Sequence, residues 1–255
     1  MRTIKSMDKF RLYVIVMMLL SAHAEAQIST DSAMGLLKKM SIVYANTPYL
    51  GFDMTYKYMN ESAPSDVIDS LSGRIELNKR DYRFSLGTTQ SICNKNYNII
   101  LFGEDTLMYI VKPSSQQPFA ALALLDSMML KVQGLDIRED ISGGNILLKI
   151  MFPQGMLYKT LEYKIDAATG YLRQSKCVMK ASALAGTSFQ TPGLGKPGMQ
   201  GDDWGIVESV YFNYQTGQFD DNEFDASRYF TKEGTQFKTT PAYSRYKIFL
   251  GSPNL

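Results

Sequence analysis

The fold is decided by the stretch Leu50-Gly51-Phe52-Asp53-Met54-Thr55-Tyr56-Lys57-Tyr58-Met59. Large apolar side chains occupy every second position, and mostly small or charged residues stand between them. Because successive side chains of a β-strand point to opposite faces, this period of two predicts a strand with one buried face. We expect that face to point towards an apolar helix inserted later in the chain. Its residues are Leu50, Phe52, Met54, Tyr56 and Tyr58.

Similar alternating segments follow along most of the chain. Short turns rich in Gly, Asp and Asn separate many of them, and such short connections are typical of antiparallel neighbours. The tail 224–250 adds further short strands. The other predicted strands are 73–78, 82–86, 97–102, 107–111, 146–152, 157–165, 171–179 and 206–214.

Two helices are expected beside these strands. The first begins near Ser29, carries apolar residues at spacings of three and four, and ends at Thr47-Pro48. The second runs between Pro118 and Gly134 and is apolar on nearly all sides over 119–132. A helix of that kind must be covered on more than one side.

The predicted fold class is mainly β with helices (α+β). We expect a curved antiparallel sheet that forms a half-open barrel, covered by the N-terminal helix and the inserted apolar helix. Two helices cannot cover one whole face of so large a sheet, so a concave apolar cavity should remain. Residues 27–255 should form a single domain, with a flexible loop at 181–205 that is rich in Ala, Gly and Pro.

Residues 1–26 are expected to be a signal peptide. Basic residues precede an apolar run over 12–20, and Ala24-Glu25-Ala26 has the small-x-small pattern of a cleavage site. The mature protein should therefore be exported to the periplasm and remain soluble, with no transmembrane span after cleavage. It keeps two cysteines, Cys93 and Cys177, which either form a disulfide in that oxidising compartment or remain buried free thiols.

Composition argues against an enzyme. The sole histidine, His23, lies in the leader, so a mature chain starting at residue 27 lacks the commonest general base and zinc ligand. The four basic and two acidic residues of the leader account for the formal net charge of +2, which leaves no basic excess for nucleic acid. No cofactor is expected.

Three motifs resemble functional sites in spacing but not in context. Gly193-Leu194-Gly195-Lys196-Pro197-Gly198 has the glycines of a dinucleotide loop, yet two prolines interrupt the region and no helix follows. Ser244 and Lys247 have the spacing of a nucleophile and base but lie in a strand-like tail. The acidic run from Asp220 to Asp225 lacks the later ligands of a calcium loop and suits helix caps or a turn. We therefore expect no catalytic residue and no metal site.

Three segments resemble the periplasmic lipoprotein carrier family of LolA and LolB. Gly73-Arg74-Ile75-Glu76-Leu77-Asn78-Lys79-Arg80 is similar to that family's glycine, alternating strand and Lys-Arg pair. Thr106-Leu107-Met108-Tyr109, with the later Pro113, resembles its Thr-Leu-Trp-aromatic segment, although Met108 replaces the tryptophan. Phe224-Asp225-Ala226-Ser227 resembles its closing phenylalanine segment. The chain is thus similar to a divergent member of this family.

The resemblance implies a non-enzymatic carrier that holds the acyl chains of a lipoprotein or another lipid in the cavity, with the helices as a lid. It also implies that Arg80 influences opening and ligand release. The alternative is a structural or adaptor subunit of a cell-envelope assembly. Such a subunit would have the same fold, its cavity would be filled by its own side chains, and its partner would be an envelope protein. The residues expected to bind lipid are Phe52, Met54, Tyr56, Arg80, Phe84, Met108, Leu125 and Met129.

Overall fold

The computed structural model describes residues 26–113, 132–185, 203–252 and 255. Within these ranges the α-helices are α1 (Thr30–Ala45) and α2 (Ala181–Ala185), and short 3-10 helices occupy Asp221–Phe224, Ala226–Arg228 and Pro241–Tyr243. The strands are β1 (Ala26–Gln27), β2 (Tyr49–Asn60), β3 (Ala63–Asn78), β4 (Asp81–Leu86), β5 (Thr89–Cys93), β6 (Asn98–Phe102), β7 (Leu107–Val111), β8 (Asp136–Ser142), β9 (Asn145–Met151), β10 (Tyr158–Asp166), β11 (Leu172–Lys180), β12 (Trp204–Thr216), β13 (Phe230–Glu233), β14 (Gln236–Thr239) and β15 (Lys247–Leu250).

Thirteen strands form one open, curved sheet in the order β1-β8-β9-β10-β11-β12-β2-β3-β4-β5-β6-β7-β15, and β13 pairs with β14 in a separate hairpin. The expectation of a purely antiparallel sheet is wrong at one edge, where β15 runs parallel to β7. Parallel neighbours require a long crossover. Here the chain between them passes through the seven described strands from β8 to β14 before it returns to this edge, so the sheet is mixed.

Strand β2 confirms the pattern from which the fold was predicted. Leu50 and Phe52 are 0% exposed, Met54 and Tyr58 are buried, and Tyr56 is half-buried. The inserted helix that these residues were expected to face falls mostly in 114–131, outside the described residues.

Four strand segments lie outside the predicted ranges: β1, β5, β8 and the first ten residues of β3. β3 begins at Ala63, ten residues before the predicted 73–78, and β8 was missed entirely. Pro64, Ser65 and Asp66 are typical of turns rather than strands. In β8, charged residues alternate with only two isoleucines, so its apolar face is short.

Helix α1 packs on the inner face of the sheet, and its bounds agree with the helix predicted between Ser29 and Thr47-Pro48. Ser29 caps it, because its Oγ accepts a hydrogen bond of 3.2 Å from the Ser32 backbone N–H. Its buried stripe joins one core cluster with residues of the seven neighbouring strands from β8 to β3. Seven flat strands would span roughly 29 Å, far more than the diameter of one helix, so the sheet must curve around α1. The stripe consists of Ala33, Leu37, Met40 and Tyr44.

A second core lies on the outer, convex face. Side chains of β5, β6 and β7 pack there against Tyr229 and Phe230 of the C-terminal segment. A chain of ion pairs on the same face links Asp53, Arg74, Glu76, Arg83 and Glu223. The C-terminal segment over 221–243 is therefore fixed to the outside of the sheet, and β15 then joins the edge of the sheet.

The remaining sequence predictions fall partly outside the description. Residues 1–25 of the predicted signal peptide (1–26) and residues 186–202 of the predicted loop lie outside the described residues. The ends of that loop are ordered, because 181–185 form α2 and β12 already begins at Trp204. Among the described residues, no helix is both long and apolar enough to cross a bilayer.

Candidate functional site

One row of side chains crosses the concave face from the core to the open edge of the sheet. The strand register pairs neighbouring members directly, so all of them point to the same face. All but one are apolar or aromatic. We call this the concave row, and its members are Phe52, Ile75, Phe84, Ser91, Ile100, Tyr109 and Phe249.

Burial decreases along the concave row. Phe52 is 0% exposed and Ile75 is 6% exposed, because α1 and the surrounding strands enclose them. Ile100 and Tyr109 are half-buried, and Phe249 at the edge is 44% exposed. The apolar surface therefore continues beyond the part of the sheet that belongs to the main core.

Strands β6 and β7 are apolar on both faces but unequally buried. On the outer face, Ile99 and Met108 are 0% exposed under the C-terminal segment. On the concave face, Phe102 and Tyr109 are half-buried, and their rings contact each other edge to face at 5.6 Å between centroids. Tyr109 also stacks on Phe249 at 5.3 Å. These aromatic rings form an apolar surface next to the sheet edge.

The structure brings together only some of the residues predicted to bind lipid. Phe52, Met54, Tyr56 and Phe84 share the concave face. Met108 does not join them, because the register turns its side chain to the outer face, where it is enclosed by the second core. Leu125 and Met129 lie outside the described residues.

Arg80 is exposed in the two-residue turn between β3 and β4. Its neighbour Lys79 has a φ of 59°, which the turn requires, and the Lys79 backbone N–H donates to the Pro48 carbonyl at 2.5 Å. The Lys79 ammonium lies over the Tyr49 ring at 5.7 Å from its centroid. Arg80 therefore stands at the rim of the sheet and not among the apolar side chains of the concave face.

A ring of hydrogen bonds fixes the end of α1 to the sheet. The Tyr214 hydroxyl donates to the Leu172 carbonyl at 2.5 Å, and the Leu172 N–H donates to Tyr44 Oη at 3.0 Å. The Tyr44 hydroxyl must then donate to Tyr214 Oη, 2.9 Å away, because the Tyr214 proton is already used. Burial raises the pKa of Tyr44 to about 12, so its proton is retained at neutral pH.

The sequence left open whether the two cysteines form a disulfide or remain free thiols. In the structure both are free thiols. Cys93 ends β5 and Cys177 lies in β11, and four strands stand between these two in the sheet. Burial raises the pKa of the Cys177 thiol to about 12, which makes it a poor nucleophile. Cys177 lies on the concave face beside Tyr58 and Met179.

The acidic run near residue 220 serves as helix caps. Asp220 accepts a hydrogen bond from the Asn222 N–H at 3.0 Å, and Asp225 accepts one from the Ser227 N–H at 2.9 Å. No group of three or more potential metal ligands occurs among the residues that the structure describes. The glycine motif at 193–198 lies outside those residues.

The functional candidates that sequence reasoning missed are Ile100, Phe102, Tyr109 and Phe249. Three of them lie in segments that were predicted as strands, so the strand pattern was seen. The sequence signal was a pair of strands with apolar residues on both faces, and such a pattern gives no sign of which face is inside.

No protein-family model and no curated protein matches the sequence. Comparison with solved structures finds similarity at low identity. A LolA superfamily protein from Nitrosomonas europaea is 7% identical, with a TM-score of 0.34 over 76% of this chain and 98% of that chain. A DUF1329 family protein from Desulfovibrio piger is 10% identical, with a TM-score of 0.36 over 78% of this chain and 98% of that chain. An uncharacterized conserved protein from Thermus thermophilus is 11% identical, with a TM-score of 0.41 over 86% and 99%. These similar structures include a member of the superfamily that the sequence motifs resemble.

Proposed function

We propose that the protein is a non-enzymatic periplasmic carrier that binds acyl chains of a lipoprotein or another lipid on its concave face. The observation that carries the proposal is the concave row, whose apolar side chains become progressively less buried from Phe52 to Phe249. Soluble proteins usually cover contiguous apolar surface of this kind unless it binds something.

The size of the surface suits an acyl chain. From Phe84 to Phe249 the concave row crosses four strand spacings, or roughly 19 Å, which is comparable to an extended acyl chain of a common membrane lipid. Each methylene removed from water contributes about 0.8 kcal/mol. A dozen such groups contribute on the order of 10 kcal/mol before the costs of ordering, and micromolar binding requires about 8 kcal/mol.

The test compares two phenylalanines on opposite faces of the sheet. Phe102 lies on the concave face, whereas Phe212 lies on the outer face opposite Asp53 and is 39% exposed. The full mature protein is titrated with the methyl ester of a fluorescent polyene fatty acid. We expect Phe102→Asp to weaken binding at least tenfold, because it places a charge on the apolar surface, and Phe212→Asp to leave it unchanged.

Thermal unfolding of each variant shows whether it remains folded. If Phe102→Asp does not fold, Phe249→Asp replaces it, since this side chain is at the exposed end of the same surface. If the concave-face variant and Phe212→Asp bind the polyene ester with equal affinity, the proposal is contradicted. No saturable binding to folded wild type would also contradict it and would favour the adaptor subunit with a filled cavity.

A further inference from the structure

A row of hydroxyl groups interrupts the apolar concave face. Tyr163, Ser175, Ser209 and Tyr56 are direct cross-strand partners on β10, β11, β12 and β2. We call these four residues the hydroxyl row. Three strand spacings separate its ends, so it spans roughly 14 Å. Polar groups placed in this way within an apolar wall are the usual means by which a binding site orients its ligand.

The Tyr163 hydroxyl has an unused hydrogen-bonding capacity. Its side chain is buried, with the residue only 5% exposed, and it makes no hydrogen bond with any residue that the structure describes. Within the same described ranges, no completely enclosed side-chain oxygen or nitrogen lacks a hydrogen-bond partner. The Tyr163 oxygen must therefore border open space inside the curved sheet, where another molecule's polar atom can reach it.

The other members of the hydroxyl row are also placed away from bulk water. Ser175 Oγ and Tyr211 Oη are 3.3 Å apart, and Ser209 is 7% exposed. Burial raises the pKa of Tyr56 to about 12 and also raises that of Tyr163. These phenols therefore stay protonated at neutral pH, so they can donate hydrogen bonds to an acceptor.

The charges around the hydroxyl row disfavour an anion. Alternation turns the charged residues of the central strands to the outer face, where Lys149 pairs with Glu162. In β2, β3, β8, β9, β10 and β12, the described charged residues that cross-strand pairing puts on the concave face are Glu139 and Asp69, both acidic. Lys159 lies at a bulge of β10 and is already paired with Glu61. Arg173, at the end of β11, is already paired with Asp166. On α1, Lys38 and Lys39 lie on the exposed side.

We infer that the hydroxyl row binds a neutral carbonyl, the ester or amide group at the head of an acyl chain, and discriminates against a free carboxylate. Protonated phenols and serines donate hydrogen bonds to a carbonyl oxygen. Among the residues that the structure describes, a carboxylate buried there would meet two acidic side chains and no unpaired cation of the sheet. This inference rests on the proposed function, because it requires acyl chains on the concave face, and it names the chemical class of the ligand.

The experiment uses the methyl ester and the free acid of the same fluorescent polyene chain, titrated separately into the full mature protein at neutral pH. We expect wild type to bind the ester at least tenfold more tightly than the acid. Tyr163→Phe removes one hydroxyl and should weaken ester binding about two- to tenfold, the effect of one hydrogen bond. Binding of the acid should change less, so the ester-to-acid ratio falls.

The control is Tyr97→Phe, which removes a hydroxyl from the second core, remote from the concave face. It should leave both affinities unchanged. Equal binding of ester and acid by wild type, or an unchanged ratio in folded Tyr163→Phe, would overturn the inference while leaving the acyl-chain carrier intact. Binding of neither ligand would instead overturn the proposed function and the inference together.

Discussion

Replacing Tyr44 with phenylalanine should loosen α1 from the sheet. The variant loses the hydroxyl that accepts from the Leu172 N–H at 3.0 Å and donates to Tyr214 Oη at 2.9 Å. The ring itself remains, so packing against Phe52, with 6.3 Å between ring centroids, is retained. The change therefore removes two hydrogen bonds and creates almost no cavity.

The expected loss follows from the burial of these groups. Leu172 is 1% exposed, so its N–H would be left without a partner and without water, at a cost of about 1–3 kcal/mol. The lost bond between the tyrosines adds about 0.5–1.5 kcal/mol. Together the free energy of unfolding should fall by roughly 2–4 kcal/mol. For a chain of this size the melting temperature should fall by roughly 4–16 °C.

Urea and thermal unfolding of the mature protein measure this difference. Tyr97→Phe is the matched control, because the Tyr97 hydroxyl forms no hydrogen bond with another described residue and should cost less than about 0.5 kcal/mol. If the two variants lose the same stability, the hydrogen-bond ring does not hold α1 and the reasoning is refuted.

Two further predictions concern the second core and alkaline pH. Met108→Ala should lower the free energy of unfolding by about 2–5 kcal/mol, because Met108 is 0% exposed on the outer face. For the same reason, the affinity for the polyene ester should be unchanged. A variant with normal stability but reduced affinity would show that Met108 does contact the ligand. The pKa values of Tyr44, Tyr56 and Tyr82 are raised to about 12 from 10.0, so above pH 10 the folded state binds more protons than the unfolded state. The free energy of unfolding should therefore be constant below about pH 10 and fall as the pH rises towards 12. If urea unfolding shows no fall in this free energy over that range, these tyrosines are not buried as described.

The sequence predicted the elements whose periodicity is simple. β2 carries large apolar side chains at every second position, and α1 has one apolar stripe with a serine cap, so local chemistry determines both. The first ten residues of β3 extend as a strand because they pair with β2, and nothing in Pro64, Ser65 or Asp66 indicates that pairing. Long-range pairing had to override local preference there.

The binding surface was only partly predictable for a related reason. Phe52 and Phe84 were assigned to the concave face because their strands alternate, whereas Met108 was assigned wrongly to that face, since β7 is apolar at every position. The C-terminal segment, with Tyr229 and Phe230, decides which side of β7 is enclosed. The hydroxyl row could not be seen either, because Ser175 and Ser209 become neighbours only through the register of β11 and β12.

Native mass spectrometry of the protein purified from its own periplasm tests the carrier proposal most directly. The measurement keeps non-covalent ligands bound and gives the mass of each one. The proposal predicts a copurified acylated molecule, lost or strongly reduced in Phe102→Asp and retained in Phe212→Asp. A ligand-free protein, or one that carries only a stoichiometric protein partner, would contradict the proposal that acyl chains occupy the concave face.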